Sequence, residues 1–238
     1  MTAAAPDPAL VEALVVANRI LYDQGIVDGF GHVSVRHPAR DGCFLLSCSK
    51  APGLVTRADI MTFGADGEAV DGDPRTGYLE RYIHSEIYRA RPDVRAVVHS
   101  HSPSVIPFGA ARTPLRPIFH MSAFLGTGSP VFEIREAGGN TDLLIRSRAL
   151  GAAMARTLGS HAVVLMRGHG STTVGASLEQ AVYRAIYAEV NAKLQLQAVA
   201  LGEVTYLNAE EAALAAATND GVMLRAWALW RQRIGAIE

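Results

Sequence analysis

An apolar run begins at Val94 and ends in His99-Ser100-His101-Ser102. In an extended strand, residues i and i+2 face the same side. A strand here projects His99 and His101 together, at the point where it gives way to a loop. Two imidazoles at that spacing can chelate one metal ion. A second run, Ala162-Val163-Val164-Leu165-Met166, is apolar throughout, as expected of a central strand. It leads into Arg167-Gly168-His169-Gly170, where glycine on both sides of His169 lets backbone approach a ligand closely. A lone histidine is more often packed or solvated than a ligand. The His-x-His pair, with a third histidine at another strand end, points instead to a catalytic ion with an open coordination position.

The remaining periodicities place helices and strands around these two runs. Asp7-Pro8 opens a helix over 8–23, with Leu10, Leu14, Ala17 and Leu21 on one face. His32 to Arg36 alternates as a strand, Cys43 to Leu46 is its hairpin partner, and Ser47 to Gly53 is a polar loop. Asp66-Gly67 and Asp71-Gly72 punctuate a further strand or hairpin region. A helix is predicted over 78–90, with Leu79, Ile83 and Ile87 facing the core, and a short one over 103–111. The irregular segment 112–130 is long for a loop, which marks it as functional. A short strand at Val131 to Ile134 precedes a helix over 143–158 capped by Gly159. The longest helix, 177–201, opens on Ser177-Leu178-Glu179-Gln180, and C-terminal helices follow at about 208–234. The early hairpins argue against a purely parallel sheet.

With 238 residues, 49% of them hydrophobic, the chain reads as one domain over 1–238. A net charge of -1 without a basic block speaks against nucleic acid or a membrane surface as partner. Cys43 and Cys48 read as reduced thiols of a cytoplasmic protein. The opening Met1 to Pro8 has no charged n-region or apolar h-region of a secretory signal. No glycine-rich phosphate loop precedes a helix. Glu80, in the first turn of the 78–90 helix with His84 one turn further on, is a candidate fourth ligand or acid/base; alternatively it only complements the helix N-terminus. His37 and His161 read as surface residues.

Glu80, His99-Ser100-His101 and Gly168-His169-Gly170, with Gly31-His32-Val33-Ser34-Val35-Arg36 upstream, resemble the motifs of the class II aldolase/adducin family in order and interval. The resemblance runs from about residue 8 to 215. It implies an α/β fold, a three-layer α/β/α domain with a central mixed, largely antiparallel sheet. It also implies a homotetramer with active sites at subunit interfaces. One divalent ion, Zn2+ or Mn2+, is expected on His99, His101 and His169, with Glu80 as ligand or acid/base. The departures narrow the chemistry. Tyr78 and Leu79 stand where the sugar-phosphate aldolases keep small phosphate-binding residues, and His32 replaces an asparagine. Ser47-Cys48-Ser49-Lys50 replaces Thr-Pro-Ser-Gly, and His120 matches the tyrosine that donates a proton in the aldolases.

These changes resemble the decarboxylase branch of the family. That branch acts on hydroxylated aromatic or pyridine dicarboxylates such as 3,4-dihydroxyphthalate or 3-hydroxy-2-methylpyridine-4,5-dicarboxylate, in aromatic catabolism. Lys50 and Arg167 are the candidate carboxylate holders, with Ser49, His32 and Tyr78 as further substrate contacts. Phe30 and Phe124 are candidate ring walls, although phenylalanine more often serves packing. His120 is expected to deliver the proton, with Glu80 second. Two other readings compete: an aldolase on a non-phosphorylated hydroxy-carbonyl substrate, and a non-catalytic module like the adducin head.

Overall fold

A computed structural model describes residues 6–70 and 72–235. Met1 to Ala5 of the opening segment and Asp71 of the Asp71-Gly72 pair lie outside the described residues. Seven strands form one sheet: β1 (His32–Arg36), β2 (Phe44–Ser47), β3 (Ile60–Phe63), β4 (Ala96–Ser100), β5 (Val131–Phe132), β6 (Val163–Met166) and β7 (Gly170–Gly175). Their order is β3-β2-β1-β4-β7-β6-β5, and every pairing is antiparallel except β5 with β6. The sheet is mixed and largely antiparallel, as expected.

Helices cover both faces. Val33, Val35, Ala96 and Val98 pack against α1 (Pro8–Asp23), α6 (Leu178–Leu201) and Trp230 of the C-terminal α8 (Leu224–Ile234). The alternate residues face the other way. Val97, Val164, Val174 and Phe44 pack under α2 (Arg81–Ala90) and α5 (Arg148–Leu158), against Ile83, Ile87, Met154 and Leu158. Because strand side chains alternate, His32, Ser34 and His99 belong to this α2 face. Between the covering helices lie the short α3 (Ile106–Ala110) and α4 (Ile134–Gly138), and α7 (Ala209–Val222) precedes α8.

Four expectations need correction. The 78–90 helix begins only at Arg81, so Leu79 lies outside it and is exposed rather than in the core. The 143–158 helix begins at Arg148, because Ser147 caps it through Leu150 N–H and Leu143 adopts φ 70, which no right-handed helix admits. His37 is buried rather than at the surface; its Nδ1 accepts the backbone N–H groups of Ala39 and Arg40 at 3.1 Å. Strand β7 was not anticipated: Gly170-Ser171-Thr172-Thr173-Val174-Gly175 has no apolar alternation, yet it is buried throughout between β4 and β6.

Candidate metal centre

Strand register brings the site together. His99 pairs with His32 on one side and with Thr172 on the other. Beyond β6 the chain makes a three-residue hairpin, Arg167-Gly168-His169, before Gly170 pairs with Met166. Gly168 supplies the left-handed residue of that turn at φ 65. The turn returns His169 over the end of β4. A Cβ on Gly170 would overlap the Ser100 carbonyl oxygen and stand 3.0 Å from His101 Cδ2, so only glycine lets β7 close on the His-x-His strand end.

Four donor atoms converge, from Glu80, His99, His101 and His169, all within 4.8 Å of one another. His101 Nε2 lies 3.2 Å from His99 Nε2 and 3.1 Å from His169 Nε2. Glu80 Oε2 lies 3.5 Å and 3.4 Å from the same atoms of His99 and His169. A tetrahedral ion about 2.1 Å from each donor holds its donors about 3.4 Å apart. The outer atoms fix the orientations. His169 Nδ1–H donates to the Leu143 carbonyl at 3.0 Å, which leaves Nε2 as a bare lone pair. His99 Nδ1 faces Thr172 Oγ1 at 3.4 Å, and Glu80 Oε1 accepts the Ile145 N–H at 2.8 Å. One ring proton on His101 cannot serve both of its Nε2 neighbours, whereas a cation can. The donors therefore fit a divalent ion, and Glu80 is aimed at it rather than at its own helix terminus, where its side chain makes no cap bond.

Leu143 carries the one left-handed non-glycine conformation among the described residues. It sits where its carbonyl orients His169, which is where stored backbone strain is expected to serve a site. No signal in the sequence marks it, since leucine is among the residues least suited to that conformation.

Burial disfavours the charged form of several imidazoles here. It pushes His99 and His84 down to about 3 and His32 well below its ordinary value. Burial alone would raise Glu80, but His99, His169 and the Ile145 N–H outweigh it and hold the carboxylate low, at about 2. The unfolded chain binds protons at these histidines below about pH 6.5, while the folded chain refuses them, so stability falls with falling pH. Glu80 adds a further loss as pH drops from its ordinary value toward 2, where the folded carboxylate finally takes a proton. Metal-free protein is thus expected to lose on the order of 1 kcal/mol per pH unit for each buried imidazole below about pH 6. Thermal melts across pH 4–7 measure this, and a flat profile would contradict neutral burial.

Glu80, His99 and His101 open onto a cavity of about 550 Å³. His32, Ser49, Lys50 and Tyr78, all expected at the site, line it together with Phe30, Leu79 and Leu144. Lys50 Nζ is ion-paired with Asp59 at 2.7 Å, a partner the sequence did not suggest, and the Tyr78 hydroxyl donates to the Lys50 carbonyl. Arg167 does not join them. It follows β6 directly, its Nε lies 2.7 Å from Glu133 Oε2, and neither residue lines the cavity. Phe124 packs on Tyr183 instead of walling the cavity. His120 is exposed at the head of the 3-10 segment His120–Leu125, its carbonyl bound by Asn219, and it does not line this cavity. A second cavity of about 580 Å³, around Arg91, His161 and Arg184, holds none of the four donors.

Known proteins resemble the chain over most of its length. Decarboxylase tropJ of Talaromyces stipitatus is 36% identical, over 94% of this chain and 93% of its own. The 3,4-dihydroxyphthalate decarboxylase of Arthrobacter keyseri is 35% identical over 80% of this chain and 79% of its own. Among solved structures, the L-fuculose 1-phosphate aldolase of Glaciozyma antarctica superposes with a TM-score of 0.78 at 26% identity, covering 95% of this chain and 88% of that one. The profile of the Class II Aldolase and Adducin N-terminal domain matches residues 12–196, and the chain belongs to that family.

Proposed function

We propose that this protein is a divalent-metal-dependent carbon–carbon lyase that removes a carboxyl group from a hydroxylated aromatic or pyridine dicarboxylate. The observation that carries the reading is a three-histidine, one-carboxylate donor set opening onto a cavity with one lysine and aromatic walls. The first candidate substrate is 3,4-dihydroxyphthalate, the compound in the name of one relative. A Zn2+ or Mn2+ ion on His99, His101, His169 and Glu80 would polarise the substrate's oxygens and accommodate the electron pair released as the carbon–carbon bond breaks.

The chain's own residues divide the remaining work. Lys50 holds the carboxylate that is kept, and Tyr78 and Phe30 flank the ring. A proton must reach the ring carbon that loses carbon dioxide. We assign it to His120, which as an exposed residue serves the cavity of an adjoining copy in a homotetramer; the family resemblance supports this assignment. The whole chain acts as one domain, and its two free thiols support a cytoplasmic setting.

The test is carbon dioxide release from hydroxylated phthalates and pyridine dicarboxylates by metal-loaded protein. Release of an aldehyde from an aldol instead would favour the aldolase reading, and no turnover with no metal affinity would favour a non-catalytic module. His120→Ala is expected to keep its metal and lose turnover by about 10²–10⁴-fold, the range for one positioned general acid. Unchanged turnover would pass the role to Glu80 or water. Lys50→Met is expected to raise KM about tenfold, since one charge-assisted bond is lost. Arg167→Ala, whose partner is Glu133, leaves both constants within about twofold. Steady-state kinetics of the two variants side by side measure this, and equal effects would return Arg167 to the site.

A further inference from the structure

His32 and Ser34 are two apart on β1, and His84 and Tyr88 are four apart on α2. Two residues of strand advance about 6.6 Å and four of helix about 6.0 Å, so the two spacings run in step. The side chains interlock accordingly. His32 Nδ1 meets His84 Nε2 at 2.6 Å, His84 Nδ1 meets Ser34 Oγ at 2.6 Å, and Ser34 Oγ meets the Tyr88 hydroxyl at 2.7 Å. All four residues are buried, and Phe44 packs on both His84 and Tyr88, sealing the chain from the side.

The hydrogen-bond inventory gives this chain a direction. Among the described residues, Ser34 Oγ is the one acceptor within reach of the Tyr88 O–H. A buried hydroxyl proton needs an acceptor, so Tyr88 donates to Ser34. The Ser34 proton then goes to His84 Nδ1. His84 is thereby left with its proton on Nε2, which it donates to His32 Nδ1. His32 must carry its own proton on Nε2, the ring nitrogen that no described residue engages, and its ring lines the cavity beside His99.

We propose that Tyr88, Ser34 and His84 form a one-way hydrogen-bond chain that locks His32 in the Nε2–H tautomer, making it a fixed neutral donor for an anionic oxygen of the substrate. His32 is the contact residue; the other three position it. A neutral donor suits a phenolate or carboxylate oxygen beside a metal cluster, because it adds a hydrogen bond without another cation next to the ion. The identity of that oxygen rests on the decarboxylase reading; the tautomer does not.

The decisive measurement is the two-bond ¹H–¹⁵N spectrum of histidine-labelled, zinc-loaded protein without substrate. The expected result is Nε2–H with bare Nδ1 for both His32 and His84. Nδ1–H on either ring, or a cationic His32, overturns the proposal. In Ser34→Ala the chain loses its polarity. Both tautomers of His32 should then appear, and kcat should fall about tenfold with metal content unchanged. A variant that keeps one tautomer and full kcat also overturns it, and the wild-type spectrum decides the matter if Ser34→Ala fails to fold. If the tautomer holds but no dicarboxylate is decarboxylated, the functional reading fails alone.

Discussion

His99→Ala is expected to purify without its divalent ion and to lose at least about 10³-fold in kcat/KM. His99 is the most buried of the three imidazoles, and its Nε2 faces both His101 and Glu80. Without it, Glu80 keeps only His169 as an imidazole neighbour within 4 Å. The ring also packs against His32 with 5.0 Å between centroids and 37° between the planes, so the variant opens a hole beside the proposed donor. Metal analysis and carbon dioxide release on the same preparation separate the two effects. A variant with a full complement of metal and normal turnover would remove His99 from the centre altogether.

Gly170→Ala is expected to be nearly as damaging, although the added group is one methyl and touches no substrate. The new Cβ would collide with the Ser100 carbonyl oxygen and approach the Ser100 carbonyl carbon to 3.2 Å. Those are backbone atoms of β4, which is held between β1 and β7 and cannot step aside. The strand ends must part, and His101 and His169 part with them. Overpacking of this kind costs about 3 kcal/mol. For a chain of this length that corresponds to a melting point about 6–12 °C lower. A matching loss of about tenfold or more in metal affinity should appear in a zinc titration. Unchanged melting and affinity would mean that the two strands have slack at this point.

Much of the candidate site was legible because its geometry rests on short-range rules. Strand alternation alone puts His99 and His101 on one face, and a buried strand followed by Gly168-His169-Gly170 announces a third imidazole at the same sheet edge. Glu80 was reachable from its place beside a helix start, and the family pattern then joined it to the histidines. What escaped depends on contacts far apart in sequence. Arg167 looked like a carboxylate holder because nothing local names Glu133, 34 residues earlier, as its partner. Lys50 was read without Asp59, which reaches it only through the fold of the intervening loop. Strand β7 hid because its serines and threonines show no hydrophobic alternation; a central place in the sheet, with α6 packed over it, buries them.

The four donors come from positions 80, 99, 101 and 169, on a helix start, one strand and a distant hairpin turn. An unfolded chain offers at best the adjacent pair. Under the proposed function, charging with the ion therefore follows folding, and a chain still being synthesised cannot hold it until the hairpin has emerged and docked. Once bound, the ion ties together segments that otherwise meet only through packing. Scarcity of metal in the cell would then shorten the protein's lifetime as well as idle its chemistry.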